Sequence, residues 1–181
     1  MNENHIKDLV LEDKWMMDVL KAARSLDLPD WMIGAGFIRN KVWDYLHGLD
    51  QPTVLSDIDL IYFDPNNTSE DQEKEYDRRL NKLFPAPWST KNQARMHSVN
   101  GNDPYLSSED ALAHWIETPT CTAVKLLADD SIQIIAPHGL EDLLSLQVRP
   151  SPNVKDLEVY KQRIEKKNWK NIWPKLEIHE F

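Results

Sequence analysis

The sequence predicts an α/β (α+β) fold, a small mixed β-sheet flanked by helices. Three observations predict it: apolar residues recur at helical spacing in several stretches, short apolar or alternating runs lie between them, and glycine and proline turns separate the two kinds of segment.

The elements follow in order. Ile6, Leu9, Val10, Met16, Met17, Leu20 and Ala23 fit one helix over 6–26, ended before Leu28-Pro29. Trp31–Ile33 reads as a short strand. Gly34-Ala35-Gly36 reads as a tight turn in which the glycines supply positive φ. A helix from about Phe37 to His47 follows, stopped by Gly48. Residues 57–63 form an acidic strand that ends in the turn Asp64-Pro65-Asn66-Asn67. Ser69 is the expected N-cap of a charged helix over about 70–84. Trp88–Val99 reads as a strand whose odd face carries Ser89, Lys91, Gln93, Arg95 and His97. Ser107 starts a short helix. Thr120–Leu127 and Ser131–Ala136 form a hairpin with its tip at 128–130. Leu140–Leu146 and Val154–Lys167 are helical, and a tail holding Trp169 and Trp173 closes the chain.

A length of 181 residues suits one domain, taken as 1–181; the proline-rich stretch at 149–152 leaves too little chain for a second. The net charge of −9 argues against binding long nucleic acid, which needs a basic surface. A single cysteine, Cys121, excludes an intramolecular disulfide framework and fits a reducing compartment. No apolar run reaches membrane-spanning length, and the N-terminus has no basic or apolar leader, so a cytoplasmic protein is expected.

The chemistry concentrates in two segments. Asp57 and Asp59 alternate on one side of a strand, about 7 Å apart at 3.3 Å per residue. Two hard carboxylates at that spacing can hold Mg²⁺ (or Mn²⁺), which keeps several waters and takes substrate phosphates as further ligands. The Gly34-Ala35-Gly36 turn, between strand and helix, suits a phosphate at a helix N-terminus. Together they point to metal-dependent nucleotidyl transfer. Lys91 and Arg95, on one basic face of an acidic protein, are candidates for binding phosphate. The seven tryptophans are expected in the core, with Trp88 the one considered for base stacking. His114 and Glu117 have helical spacing but make only two ligands, which favours a surface helix over a metal site.

The two motifs in this order resemble the polymerase-beta-type nucleotidyltransferase superfamily. Gly34-Ala35-Gly36-Phe37-Ile38-Arg39-Asn40 is similar to the Gly-Gly-x-x-Arg-Asp signature of tRNA CCA-adding enzymes and bacterial poly(A) polymerases. The likeness is closer to a bacterial nucleotidyltransferase-like family of about this length and extends to Lys91-Asn92-Gln93, Ala136-Pro137 and Val148-Arg149-Pro150. The resemblance implies a nucleotidyltransferase-like fold and transfer of an NMP group from an NTP to an unidentified acceptor. It implies Asp57 and Asp59 as catalytic metal ligands. Ser56 and the amides of Gly34, Ala35 and Gly36 would hold the β- and γ-phosphates, and Arg39 would meet a phosphate or a core acid. Active members add a third carboxylate, expected two residues before Lys91-Asn92-Gln93, where this chain has Ser89. That departure raises an alternative, a catalytically degenerate nucleotide- or metal-binding module. A third reading, a regulatory interaction protein, would be marked by an exposed apolar patch around Trp169 and Trp173.

Overall fold

A computed structural model describes residues 1–180. Its elements in chain order are helices α1 (Glu3–Leu11) and α2 (Lys14–Arg24), strand β1 (Met32–Gly34), helix α3 (Gly36–His47), strand β2 (Ile58–Tyr62), helix α4 (Glu70–Leu83) and strand β3 (Trp88–Asn92). Helices α5 (Gln93–Val99) and α6 (Ser108–Ala113), strands β4 (Ala123–Leu126) and β5 (Ile132–Ile135), helix α7 (Glu141–Leu144), strand β6 (Gln147–Val148), helix α8 (Leu157–Lys167) and strand β7 (Glu177–Ile178) complete them. No described helix is long and apolar enough to cross a membrane.

The main sheet has the order β3-β2-β1-β4-β5. It is mixed: β2 and β3 run parallel, while β1 pairs antiparallel with both β2 and β4, and β4 with β5. Alternation assigns its two faces. Ile33, Leu60, Tyr62 and Val124 point into the larger core, among side chains such as Ile6, Leu20, Phe37 and Leu80 from α1 to α4. Met32, Ile61, Ala123 and Ile135 point the other way and are covered by Leu112 and Trp115. This second cover is small, so part of that face stays open.

Three elements differ from the sequence reading. The expected helix over 6–26 is two helices, because Asp13 leaves helical geometry and caps α2. Its carboxylate accepts from the Met16 amide at 3.1 Å and pairs with Lys41 at 2.7 Å. The expected strand 88–99 stops at Asn92, whose side chain accepts from the Ala94 amide and starts α5. Arg95 and His97 are therefore helical and share no strand face with Lys91. The tail does not form an exposed patch. Trp169 and Trp173 pack edge-on against Trp43, at centroid distances of 5.4 and 5.1 Å, and Trp173 Nε1 donates to Asp44 at 2.8 Å. Both rings are buried, which removes the mark on which the regulatory reading depended.

Candidate functional site

Sheet register builds the site. Met32 pairs with Ile61 and Ile33 with Leu60, and continuing this register sets Gly34 opposite Asp59. On its other side Asp59 pairs with Ser89, and Gly34 pairs with Ala123. A row of Ser89, Asp59, Gly34 and Ala123 thus crosses the sheet, on the face away from the larger core. Asp57 lies just before β2 and is exposed, and Ser56 Oγ donates to its Oδ1 at 2.9 Å.

The turn into α3 carries strain. Positive φ falls on Ala35, at φ 53° and ψ −125°, and not on the flanking glycines. Glycine normally occupies that region, and a side chain there costs on the order of 1–3 kcal/mol. The glycines serve space instead. A Cβ on Gly34 would come within 2.8 Å of Trp115 Cη2, and one on Gly36 within 3.3 Å of Leu55. No side chain caps α3, so its first-turn amides stay available.

Ala35 and Asp59 open into a cavity of about 640 Å³, shared with Lys91, Gln93, Trp115 and Arg163. Burial and the neighbouring Asp57 carboxylate raise the Asp59 pKa to about 6, against the opposing pull of Arg39. Two like charges held together in this way favour a cation between them. The donor set, two carboxylate groups with open space in front, fits Mg²⁺ with water and phosphate completing its shell. Among the described residues no cluster of three or more His, Cys, Asp or Glu side chains is assembled.

The basic candidates separate. Lys91 lines the cavity, with its Nζ 3.4 Å from the Glu73 carboxylate. Arg39 lies beneath it, 5% exposed, donating to Thr120 Oγ1 at 2.9 Å and to Asn40 at 3.0 Å, with its guanidinium over Trp43 and Trp169. Burial lowers its pKa to about 10 although the Glu117 charge supports the cation. Arg39 is thus built into the core and acts on the site through its field. Arg95, expected to meet phosphate, is instead held by buried Glu73 through bonds of 2.8 and 2.7 Å and takes no part in lining the cavity. Burial alone would raise the Glu73 carboxyl, yet Arg95 and the Asn92 amide hold it below its usual range. Trp88 faces away as well, buried with Nε1 donating to the Phe84 carbonyl at 2.9 Å.

Sequence reading missed two contributors. Trp115 follows α6 and reaches the Gly34 row from 81 residues downstream in sequence (115 − 34). Arg163, on the helix expected over Val154–Lys167, faces the cavity and pairs with the buried Glu117. No local pattern marks either residue, because α6 and α8 reach the sheet only through tertiary packing.

No curated protein matches the chain. Among solved structures it is similar to a protein whose NMR structure reveals a CCA-adding enzyme head domain. The two are 33% identical, with a TM-score of 0.88, over 99% of this chain and 97% of that one. It is similar in fold to a CCA-adding enzyme in complex with CTP, at 13% identity and TM-score 0.61, over 99% of this chain and 44% of that one. The Thermotoga maritima CCA-adding enzyme complexed with tRNA gives 14%, 0.58, 99% and 43%. At that identity these two likenesses show the fold alone, and the chain spans less than half of either enzyme. A family described as nucleotidyltransferase matches residues 21–178, and the chain belongs to that nucleotidyltransferase family.

Proposed function

We propose that the chain is a Mg²⁺-dependent nucleotidyltransferase that moves an NMP group from an NTP to an acceptor hydroxyl. One observation carries the reading: Asp59 stands beside the uncapped N-terminus of α3, at the mouth of a cavity wide enough for a nucleotide. Asp57 and Asp59 are the groups that would hold Mg²⁺ (or Mn²⁺). When bound, the ion neutralises charge on the phosphates and orients them. The amides after Gly34 and Ala35 meet the β- and γ-phosphates, helped by the helix dipole and by Lys91. Ser56 orients Asp57 through its hydrogen bond. The acceptor oxygen attacks the α-phosphorus in line, the bond to the bridging oxygen breaks, and pyrophosphate leaves. In this reading the single domain 1–181 works in the cytoplasm.

Ser89 favours a second reading. It stands opposite Asp59, where a third carboxylate would take the acceptor's proton. Without that base the proton goes to solvent, and general-base help is typically worth about 10²–10⁴-fold. A nucleotide- and metal-binding module that has lost transfer is the alternative. The test is calorimetric titration of the four NTPs with Mg²⁺, on wild type and on Asp57→Ala/Asp59→Ala, with pyrophosphate release followed in the same samples. Mg²⁺-dependent binding lost in the variant, with pyrophosphate released by wild type, supports the transferase. Binding without release across a panel of hydroxyl acceptors supports the module. Absence of binding overturns both.

A further inference from the structure

Trp115 covers the second face of the sheet and also opens into the cavity that holds Asp59. Its ring edge lies on Gly34: an added Cβ there would stand 2.8 Å from Cη2 and 3.0 Å from Cζ3. Gly34 is opposite Asp59, one strand spacing away, about 4.8 Å. The ring is thus fixed within a ribose's span of the carboxylate. Leu112 backs it on the protein side, and it stays half-buried, opening into the same cavity as Asp59. A glycine at position 34 is what lets so large a ring approach the strand.

The cavity wall carries neutral amides as well as charged groups such as Lys91 and Arg163. Gln93, Asn100 and Asn102 all contribute to it. Asn102 donates to the Tyr105 hydroxyl at 2.7 Å and Gln93 donates to the Lys91 carbonyl at 3.2 Å. A flat aromatic ring beside neutral amides suits a flat heteroaromatic ligand with polar edges. Ala35 and the first turn of α3, the groups offered to the phosphates, follow Gly34 directly in the chain.

We propose that Trp115 is the nucleobase-stacking platform of this site. The inference rests on the nucleotidyltransferase reading and adds the residue that holds the base. Stacking on one aromatic side chain accepts every base, because each has a π-face. It acts on the base and leaves the phosphates to α3.

The test compares ATP with inorganic tripolyphosphate, each with Mg²⁺, by calorimetry on wild type, Trp115→Leu and Trp115→Phe. Leucine keeps an apolar side chain over Gly34 but has no π-face. Trp115→Leu is expected to weaken ATP about 5- to 150-fold and to leave tripolyphosphate unchanged, with Trp115→Phe recovering most of the loss. Equal ATP binding by wild type and Trp115→Leu overturns the platform while leaving the nucleotidyltransferase reading in place. Equal loss of both ligands also overturns it, since the ring would then only shape the phosphate turn. A wild type that binds neither ligand removes the underlying reading and the platform with it. If Trp115→Leu does not fold, the indole Nε1–H resonance of Trp115 in wild type decides. A shift with ATP but not with tripolyphosphate supports stacking, and no shift with ATP refutes it.

Discussion

Replacing Asp59 with asparagine keeps the shape of the side chain and removes its charge. In the folded chain the Asp59 carboxyl titrates near pH 6 instead of 3.8, because burial and Asp57 disfavour the ionised form. A shift of about 2 units at 1.36 kcal/mol each sets an upper limit of about 3 kcal/mol. Screening at a partly exposed carboxylate reduces this to about 1–3 kcal/mol. The sign follows from proton linkage. A carboxyl whose folded pKa is raised stabilises the fold below its unfolded pKa, and that stability is lost as pH rises toward 6. Wild type therefore carries this cost at pH 8 and not at pH 3.5, and Asp59→Asn escapes it. Urea unfolding in metal-free buffer is expected to show Asp59→Asn more stable than wild type by about 1–3 kcal/mol at pH 8. For a chain of this size that is roughly 2–4 °C in Tm per kcal/mol. The difference closes as pH falls from 6 to 4. Added Mg²⁺ is expected to stabilise wild type selectively, by mass action on the folded state. A variant equal to or less stable than wild type at pH 8 would refute the claim that the site holds its charge at a cost.

Three further outcomes follow from the same geometry. Mg²⁺-dependent ATP binding, measured by calorimetry from pH 8 to pH 5, is expected to weaken as pH falls through about 6, because the ion competes with a proton for Asp59; a flat profile would exclude Asp59 as a ligand. Glu73→Ala is expected to cost about 1–3 kcal/mol in urea unfolding, since it leaves the Asn92 amide without its acceptor and Arg95 with Glu70 alone; a loss below about 1 kcal/mol would mean the pair is no structural clamp. Gly34→Ala forces a Cβ against the Trp115 ring and is expected to lower stability by about 1–3 kcal/mol; an unchanged Tm would show that the ring swings freely from the turn.

The parts of the molecule that were legible in sequence are those fixed by local chemistry. Gly48 adopts the left-handed conformation expected of a helix stop, at φ 67°. The hairpin closes through Leu127 and Ser131 around the expected tip. The strand carrying Asp59 and the glycine turn before α3 were legible because period-two alternation and glycine are short-range signals. Apolar spacing runs through Asp13 without a break, although an aspartate three residues before Met16 is equally a cap, and its Lys41 partner lies 28 residues away. The basic face over 88–99 failed for a similar reason. Polar alternation continues past Asn92, but the Asn92 side chain bonds the Asp64 amide and the Asp64 and Asn67 carbonyls, and this ends the strand. Glu73 then takes Arg95 from across α4. The motif alone fits Arg39 to phosphate or to a core acid, and only the arrival of Trp169 and Thr120 from distant segments resolves its place.

Ser89 offers a test with its own fingerprint. Its backbone pairs with Asp59 in the parallel register, so Ser89→Asp sets a third carboxylate one strand spacing from Asp59 on the same face. Two unit charges about 5 Å apart repel by about 3 kcal/mol at an effective dielectric near 20. Metal-free Ser89→Asp is therefore expected to unfold at lower urea than wild type by up to that amount. Mg²⁺ offsets the repulsion only if the three groups converge on one ion, so the Mg²⁺-induced rise in stability should exceed that of wild type. Pyrophosphate release that increases in step with this rise would mean the chain kept every other part of a transferase. Restored stability without release would locate the deficit elsewhere, at the acceptor side of the cavity. A Ser89→Asp variant that Mg²⁺ does not stabilise beyond wild type would show that position 89 does not converge with Asp57 and Asp59 on a cation.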